Sequence, residues 1–271
     1  MTEFLAINPE RHANKVWKRY TSYAFAAKET VIPLLGAELS KAVPALPIGF
    51  TRDQDRYQLV AVTSLRPGEN LFVAPSGQWL GAYIPAALRG YPFRLVQPEG
   101  AERAILCIDE ASGLVVAAAE GGEAFFDDQG QPSPVLKSVL DFLSQLEGNR
   151  AVTQQAVNAL AAAHLITPWA LNLKQGEQTV PVTGLYRIDE AALNTVDDAA
   201  FITLRQAGAL PVAYAQLLSM NQLAVLARLA QMQGQLLTQQ RDQAQQRTIE
   251  QALANLEGFT LSQDDGMLKF H

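Results

Sequence analysis

The spacing of apolar residues changes at Ser133, and this change limits the chain to folds that contain both sheet and helix. Before it, short apolar runs such as 57–62 alternate with Pro, Gly and acidic turns, which is the pattern of strands and hairpins. Ser133 and Pro134 are the residue types preferred at a helix N-cap and in a first helical turn. Apolar residues then recur three and four positions apart as far as Leu146, which predicts a helix. The fold class that follows is α+β.

The same change of pattern divides the chain into three parts. We predict a β-rich part over 1–130, a helical part over 131–257 and a short hairpin or tail over 258–271. We expect the first two parts to pack together as one unit.

Four local predictions are specific. Segments 22–26 and 70–73 have the short, apolar character of strands. A strand over 48–51, a polar turn and a strand over 57–62 predict a hairpin with a longer loop. Gly148 interrupts the helical pattern that starts at Ser133, so we expect a break or bend there.

The longest predicted element is a helix over Pro211–Leu256, with Gly234 as one possible weak point. We expect its first apolar seam, 218–236, to pack on the rest of the protein and its polar middle, 238–247, to be solvated. The second apolar stripe is too small to stabilise a lone helix in water. We therefore expect it to dock on a second copy as a homodimer, with folding back onto its own chain as the alternative. The residues of this stripe are Ile249, Leu253 and Leu256.

Residues 64–96 hold the densest group of aromatic and Arg side chains, separated by prolines. Trp, Tyr and Arg dominate the hot spots of protein interfaces, so one interpretation is a recognition surface. The other is an aromatic core with the stems of Arg side chains packed along it. The candidates for partner binding are Arg66, Trp79, Tyr83, Arg89 and Tyr91.

The sequence contains no recognisable catalytic or metal-binding pattern. Its single cysteine, Cys107, lies in an apolar run and is predicted to be a buried thiol. The histidines lack metal-ligand spacing, and neither a Gly-rich phosphate loop nor a Gly-x-Ser-x-Gly elbow occurs. Asp109 and Glu110 are candidates for acid–base chemistry, and solvated carboxylates at a strand end are the alternative. We therefore predict no catalytic, cofactor-binding or metal-binding residues.

Charge and the first residues bear on partners and compartment. A formal net charge of -6 argues against nucleic acid, which binds to basic surfaces. The N-terminus lacks the basic start, long apolar core and small-residue cleavage site of a secretory signal. No apolar run approaches the ~18 residues that span a bilayer, so we expect no transmembrane segment. The expected compartment is the cytoplasm, with leaderless export to the cell surface as the alternative.

Several longer stretches together resemble the SapC family over residues 4 to about 230. The stretches are LAINPERH, GENLFV, GQWLGAYIPAALRGYPFRL, CIDE, PSPVLKSVLDFLSQLE, GLYRIDEAAL and GALPVAYAQLLSMNQLAVLARL. The family takes its name from bacterial surface-layer-associated proteins. Its genes also occur beside genes for peptide- or tryptophan-modifying enzymes and outer-membrane receptors. The resemblance implies no catalytic residues.

Three functional hypotheses remain open at this point. The first is a non-catalytic protein- or peptide-binding accessory factor, whose partner is a peptide-modifying enzyme or its substrate. The second is a structural component of a surface layer, which the family name implies. The third is an enzyme of unknown class that uses carboxylate and Arg residues.

Overall fold

The computed structural model describes residues 4–98, 100, 103–175 and 178–257. Its sheets lie mainly in the first half and its long helices in the second, which confirms the α+β class. The chain contains two compact units, residues 1–227 and residues 228 onward. The terminal hairpin predicted over 258–271 lies outside the described residues.

The described residues form thirteen strands and eight α-helices. The strands are β1 Phe4–Ala6, β2 Lys15–Trp17, β3 Val31–Pro33, β4 Ile48–Asp53, β5 Arg56–Val62, β6 Phe93–Val96, β7 Ile105–Asp109, β8 Val115–Ala117, β9 Glu123–Ala124, β10 Ile166–Pro168, β11 Leu171–Gln175, β12 Gln178–Val182 and β13 Tyr186–Ile188. The helices are α1 Pro9–His12, α2 Leu39–Ala42, α3 Ala86–Arg89, α4 Pro134–Ala162, α5 Glu190–Leu193, α6 Asp198–Gln206, α7 Ala209–Ser219 and α8 Leu223–Glu257. Strands β10 to β13 interrupt the predicted helical part, so that part is mixed.

The largest sheet has five antiparallel strands in the order β10-β13-β4-β5-β3. Strands β4 and β5 form the predicted hairpin, but its loop is short, because Asp53 already pairs with Arg56. Gln54 adopts a φ of 51° in this tight turn. Helix α7 is tied to the sheet by Gln216, whose side chain accepts a hydrogen bond from the N–H of Ile188 and donates one to the carbonyl of Ile48.

Helix α4 is continuous over 29 residues, so the predicted break at Gly148 is wrong. A glycine inside a helix costs about 1 kcal/mol relative to alanine, and packing on both sides of it offsets that cost. Leu143, before Gly148 in the helix, is buried. Thr153, after it, is also buried, and its hydroxyl accepts a hydrogen bond from the N–H of Gly36. The helix starts as predicted, with the Ser133 hydroxyl accepting a hydrogen bond from the N–H of Leu136.

Two smaller sheets, β1-β7-β6 and β8-β2-β9, share a core with the first half of α4. Both sheets are antiparallel throughout. Their inner faces supply aromatic and aliphatic side chains to one buried cluster, which fixes strands β2 and β6 against the helix. The buried members are Trp17, Phe93, Ile108, Phe125, Leu136 and Leu143.

Two further local predictions are wrong. Residues 22–26 form a 3-10 turn at Ala24–Ala26, not a strand. Residues 70–73 contribute only an isolated bridge between Val73 and Trp79. The side chain of Asn70 accepts a hydrogen bond from the N–H of Phe72 and donates one to the carbonyl of Ala26, a local alternative to strand pairing.

The C-terminal helical run breaks at Met220–Gln222, in a 3-10 turn, and not at Gly234. Just before the turn, the Ser219 hydroxyl donates a hydrogen bond to the carbonyl of Gln216 and accepts one from the N–H of Ile48. These bonds compete with regular helical bonding at this point. The residue that ends the first helix is therefore fixed by tertiary contacts, which local propensity does not reveal.

Helix α8 buries less of its apolar seam than predicted. Leu226 and Leu229 are buried, but Leu218, Met232 and Leu236 are exposed, which corrects the expectation that the whole seam is packed. Ile249 is 52% exposed, and the side chains of Leu253 and Leu256 lie outside the described residues.

Within the described residues, one helical stretch, Ala209–Gln251, is long and apolar enough to cross a membrane by length and composition alone. Buried helices of soluble proteins share these properties, and Val212, Ala213 and Gln216 of this stretch are buried.

Candidate functional site: an aromatic and arginine groove

A groove of about 450 Å³ opens where three segments of the chain meet. Its lining comes from residues 17–23, residues 89–93 and one face of the first half of α4. We call it the aromatic groove. The helical face presents Val135, Ser138, Val139 and Phe142, which recur at the three- and four-residue spacing that places side chains on one side of a helix.

The close approach of α4 to the end of α3 depends on Gly90. A Cβ atom at this position would lie 2.8 Å from Cδ2 of Leu143. Gly90 is the C-cap residue of α3 and its φ of -77° is right-handed, so its role is to leave space and not to provide a left-handed cap. The missing side chain lets Arg89 and Tyr91 lie directly beside the α4 face.

Trp17 lines the groove from strand β2 and is 5% exposed. Its ring packs edge-on against Phe93, with ring centroids 4.7 Å apart and an interplanar angle of 86°. The indole N–H of Trp17 is buried and has no hydrogen-bond acceptor in the described part of the chain. A buried donor without an acceptor costs about 1–3 kcal/mol, so Trp17 is an unsatisfied group beside the groove.

Tyrosine rings line the groove next to Trp17. Tyr20 lies edge-on to Tyr23, at a centroid distance of 5.3 Å, and to Tyr91, at 6.0 Å. Tyr91 in turn stacks on Phe25, with centroids 3.8 Å apart and planes 8° apart. Burial, followed by the proximity of Tyr23, raises the pKa of Tyr20 to about 12. The Tyr20 hydroxyl is therefore neutral at physiological pH and acts as a hydrogen-bonding group, not as a base.

Arg89 supplies positive charge to the groove. Its guanidinium lies 5.9 Å from the ring centre of Tyr83 and 6.0 Å from that of Phe142, distances typical of cation–π contacts. One N–H donates to the Tyr83 hydroxyl at 3.3 Å. Arg89 is exposed, and no carboxylate among the described residues forms an ion pair with it. Arg19, the second groove arginine, pairs with Glu123 at 3.3 Å and is 73% exposed.

Trp79 and Tyr83 support the groove from behind. Trp79 is buried, and its indole N–H donates to the carbonyl of Tyr83 at 2.9 Å. The Tyr83 hydroxyl donates to Oε2 of the buried Glu38 at 2.6 Å, and the N–H of Ala86 donates to the same oxygen. Burial and the Glu38 carboxylate raise the pKa of Tyr83 well above its usual value. The polar groups of Trp79 and Tyr83 therefore have hydrogen-bond partners inside the protein.

Of the predicted partner-binding residues, the structure thus brings Arg89 and Tyr91 into the groove lining. Arg66 is exposed elsewhere, where its N–H donates to the Ser64 hydroxyl and its carbonyl accepts from Thr30. The sequence-based candidates omitted Trp17, Arg19, Tyr20 and Phe142. The run Trp17-Lys18-Arg19-Tyr20 carried the same aromatic and basic signal as 64–96, but nothing local connected it to Arg89.

The remaining candidates for chemistry have structural partners. Glu110 lies 3.1 Å from Nε2 of the buried His12 and 3.5 Å from Nζ of Lys15. The Asp109 carboxylate accepts a hydrogen bond from the N–H of Ala111 at the start of a 3-10 turn. Cys107 is buried, as predicted, and burial raises the pKa of its thiol. Among the described residues, no group of three or more His, Cys, Asp or Glu side chains is placed to hold a metal ion.

A protein-family model described as SapC matches residues 7–226. No curated protein and no solved structure matches the chain.

Proposed function

The chain belongs to the SapC family, and we propose that it is a non-catalytic binding protein that holds a protein or peptide partner in the aromatic groove. The observation that carries the proposal is the exposed guanidinium of Arg89 beside a groove walled by aromatic rings, with no carboxylate ion-paired to it among the described residues. Tyr, Trp and Arg are the residues that contribute most to interface hot spots.

Binding is favoured over catalysis by the groups that line the groove. Tyr20 is neutral at physiological pH, and the side chains of Arg89 and Arg19 offer hydrogen-bond donors and no acceptor. Glu110, the carboxylate nearest to a histidine, is engaged by His12 and Lys15 and does not line the groove. The groove thus provides a shaped surface, a positive charge and hydrogen-bonding groups for a ligand. An enzyme that uses carboxylate and Arg residues is therefore the weaker alternative.

The nature of the partner rests on the family and on the sequence. We propose a peptide-modifying enzyme or its substrate, met in the cytoplasm, since the SapC resemblance implies such neighbours. A structural role in a surface layer is the alternative that the family name implies. Nucleic acid is the least favoured partner, because the chain has a net charge of -6.

Site-specific photo-cross-linking in the source bacterium tests the proposal. A photoreactive amino acid replaces Ser138, which is exposed at the groove, and in a second strain replaces Arg205, which is exposed on α6 outside it. We expect a covalent adduct at 138 that is lost on Arg89→Ala, and none at 205. Mass spectrometry of the adduct then identifies a modifying enzyme or its substrate, whereas an adduct with surface-layer material favours the alternative. Equal adducts at both positions would contradict the groove as the binding site.

A further inference from the structure

We infer that the aromatic groove selects an aromatic side chain that has a carboxylate beside it. We assign this chemistry to the aromatic C-terminal residue of a peptide, because a groove of about 450 Å³ suits one side chain with its own backbone carboxylate. An aromatic residue next to Asp or Glu inside a chain is tested as the alternative. The inference rests on the proposed function and names the ligand chemistry of the same groove.

The charge of the groove is opposite to that of the protein as a whole. The chain has a formal net charge of -6, yet the charged side chains that line the groove are Arg19 and Arg89. Arg19 already has Glu123 as a partner, which leaves Arg89 as the cation available to a ligand. A guanidinium beside apolar surface binds a carboxylate more strongly than it does in open water, because the local dielectric constant is lower.

Arg89 is held in place before any ligand arrives. It contacts the rings of Tyr83 and Phe142 and donates one hydrogen bond to the Tyr83 hydroxyl. That hydroxyl is itself anchored by the buried carboxylate of Glu38. A guanidinium has five N–H groups, so most of its donors remain for a bidentate contact with a carboxylate. Fixing the side chain beforehand lowers the entropy lost on binding.

The size and walls of the groove fit an aromatic ring. A volume of about 450 Å³ lies within the ~300–1,000 Å³ range of small-ligand pockets, which suits one side chain with its adjoining backbone. Tyr20 and Tyr91 are already arranged edge-on, the geometry that a further ring adopts readily.

A phosphorylated side chain is the competing anion. Phosphate recognition by proteins relies on clusters of arginines that match its charge of nearly two. Here Arg89 is the groove arginine without an acidic partner among the described residues, Arg19 is paired with Glu123, and the remaining lining side chains carry no charge. A carboxylate, with a single charge, is therefore the better match.

Fluorescence anisotropy with labelled five-residue peptides tests the inference on the full chain. The probes share a Gly/Ser body and end in Phe with a free carboxylate, Phe amide, Leu with a free carboxylate, or phosphotyrosine amide. A fifth probe carries an internal Asp-Phe pair and an amidated end. The proteins are the unmodified chain, Arg89→Ala, and Arg205→Ala as a matched loss of an exposed arginine outside the groove.

We expect the free Phe carboxylate to bind about tenfold more tightly than Phe amide or the internal Asp-Phe pair, as a charge-assisted hydrogen bond would provide. Arg89→Ala should remove this preference and Arg205→Ala should keep it. Tighter binding of the Asp-Phe pair than of the free Phe carboxylate would overturn the assignment to a C-terminal residue. Leu binding as tightly as Phe, Phe amide as tightly as the acid, or phosphotyrosine more tightly than either would overturn the inference while leaving a peptide-binding groove. Failure of all probes together with no adduct at 138 would remove the proposed function as well, whereas failure of all probes with an adduct would overturn the inference alone.

Discussion

The Tyr83 hydroxyl donates a hydrogen bond of 2.6 Å to the buried carboxylate of Glu38. This contact separates the aromatic and Arg cluster of residues 64–96 into two functional parts. Trp79 and Tyr83 face inward and hold α3 against the segment around Glu38, whereas Arg89 and Tyr91 face the groove. Stability and binding should therefore respond to different residues of one short stretch.

Tyr83→Phe should lower the free energy of unfolding by about 1.5–3 kcal/mol, because a hydrogen bond to a buried carboxylate is lost. Arg89→Ala is the matched control at the neighbouring exposed position, with an expected loss below about 1 kcal/mol. Urea unfolding followed by circular dichroism measures both. A neutral Tyr83→Phe, or a larger loss in Arg89→Ala, would show that the division between support and binding is wrong.

Gly90→Ala should destabilise the protein by about 1–3 kcal/mol, since the added methyl group would collide with Leu143 and overpack the contact with α4. The same change should weaken partner binding, because moving α4 alters the groove face that carries Ser138 and Phe142. Thermal unfolding and the cross-linking yield at position 138 are the measurements. An unchanged melting temperature together with an unchanged cross-linking yield would mean that the close approach of α4 to the end of α3 is unimportant.

Gly148→Ala should act in the opposite direction and stabilise the protein by about 0.5–1 kcal/mol. Gly148 lies inside continuous α4, and a Cβ there would meet nothing within 4 Å. Denaturant unfolding compares this variant with Gly90→Ala. Both replace glycine with alanine, but the predicted changes in the free energy of unfolding have opposite signs. A destabilised Gly148→Ala would indicate that the helix needs flexibility at this point.

Stability should fall in mild acid because of His12. Burial lowers the pKa of His12 from its ordinary value of 6.5, only partly offset by Asn8 and Glu110. The unfolded chain then binds the proton more readily, so this contribution is complete above pH 6.5 and is lost as the pH falls from there through the folded-state pKa. Urea unfolding across this window should show the loss. His12→Gln should flatten it, and His164→Asn, at an exposed position with a φ of 54°, should not.

We also propose that α8 mediates a homodimer. Met232, Leu236 and Ile249 are exposed apolar residues on this helix. Burying them against a second copy removes apolar surface from water, which stabilises the pair. Multi-angle light scattering should give a dimer for the full chain and a monomer for Ile249→Gln or for a chain truncated after Gln240. A monomer in every case would exclude the dimer.

The sequence predicted those elements whose signals are local. The N-cap at Ser133 could be predicted from capping preferences alone, and the hairpin of β4 and β5 from the alternation of apolar and polar residues; the structure has both. The failures at Asn70, Gly148 and Met220 share a different cause. In each, distant contacts decide whether a strand forms, or whether a helix continues or ends.

Prediction of the groove residues from the sequence is limited in the same way. Arg89 and Tyr91 stood out because they lie in a dense aromatic stretch, but Trp17 comes from about seventy residues earlier and Phe142 from about fifty residues later in the sequence. Only the packing of β2, β6 and α4 around one core brings them together. Residue composition thus identified part of one wall, and the fold supplies the rest.

The most direct test of the aromatic groove as a peptide site is the side-chain N–H signal of Trp17 in two-dimensional N–H correlation NMR. The chain has three tryptophans, and Trp79→Phe and Trp169→Phe assign the signals by elimination. Trp169 is buried away from the groove lining and serves as the internal control. Titration with the aromatic carboxylate peptide should shift the Trp17 signal, leave that of Trp169 in place, and have no effect in Arg89→Ala. A peptide that binds without moving the Trp17 signal, or that moves it equally in Arg89→Ala, would contradict the assignment of the groove.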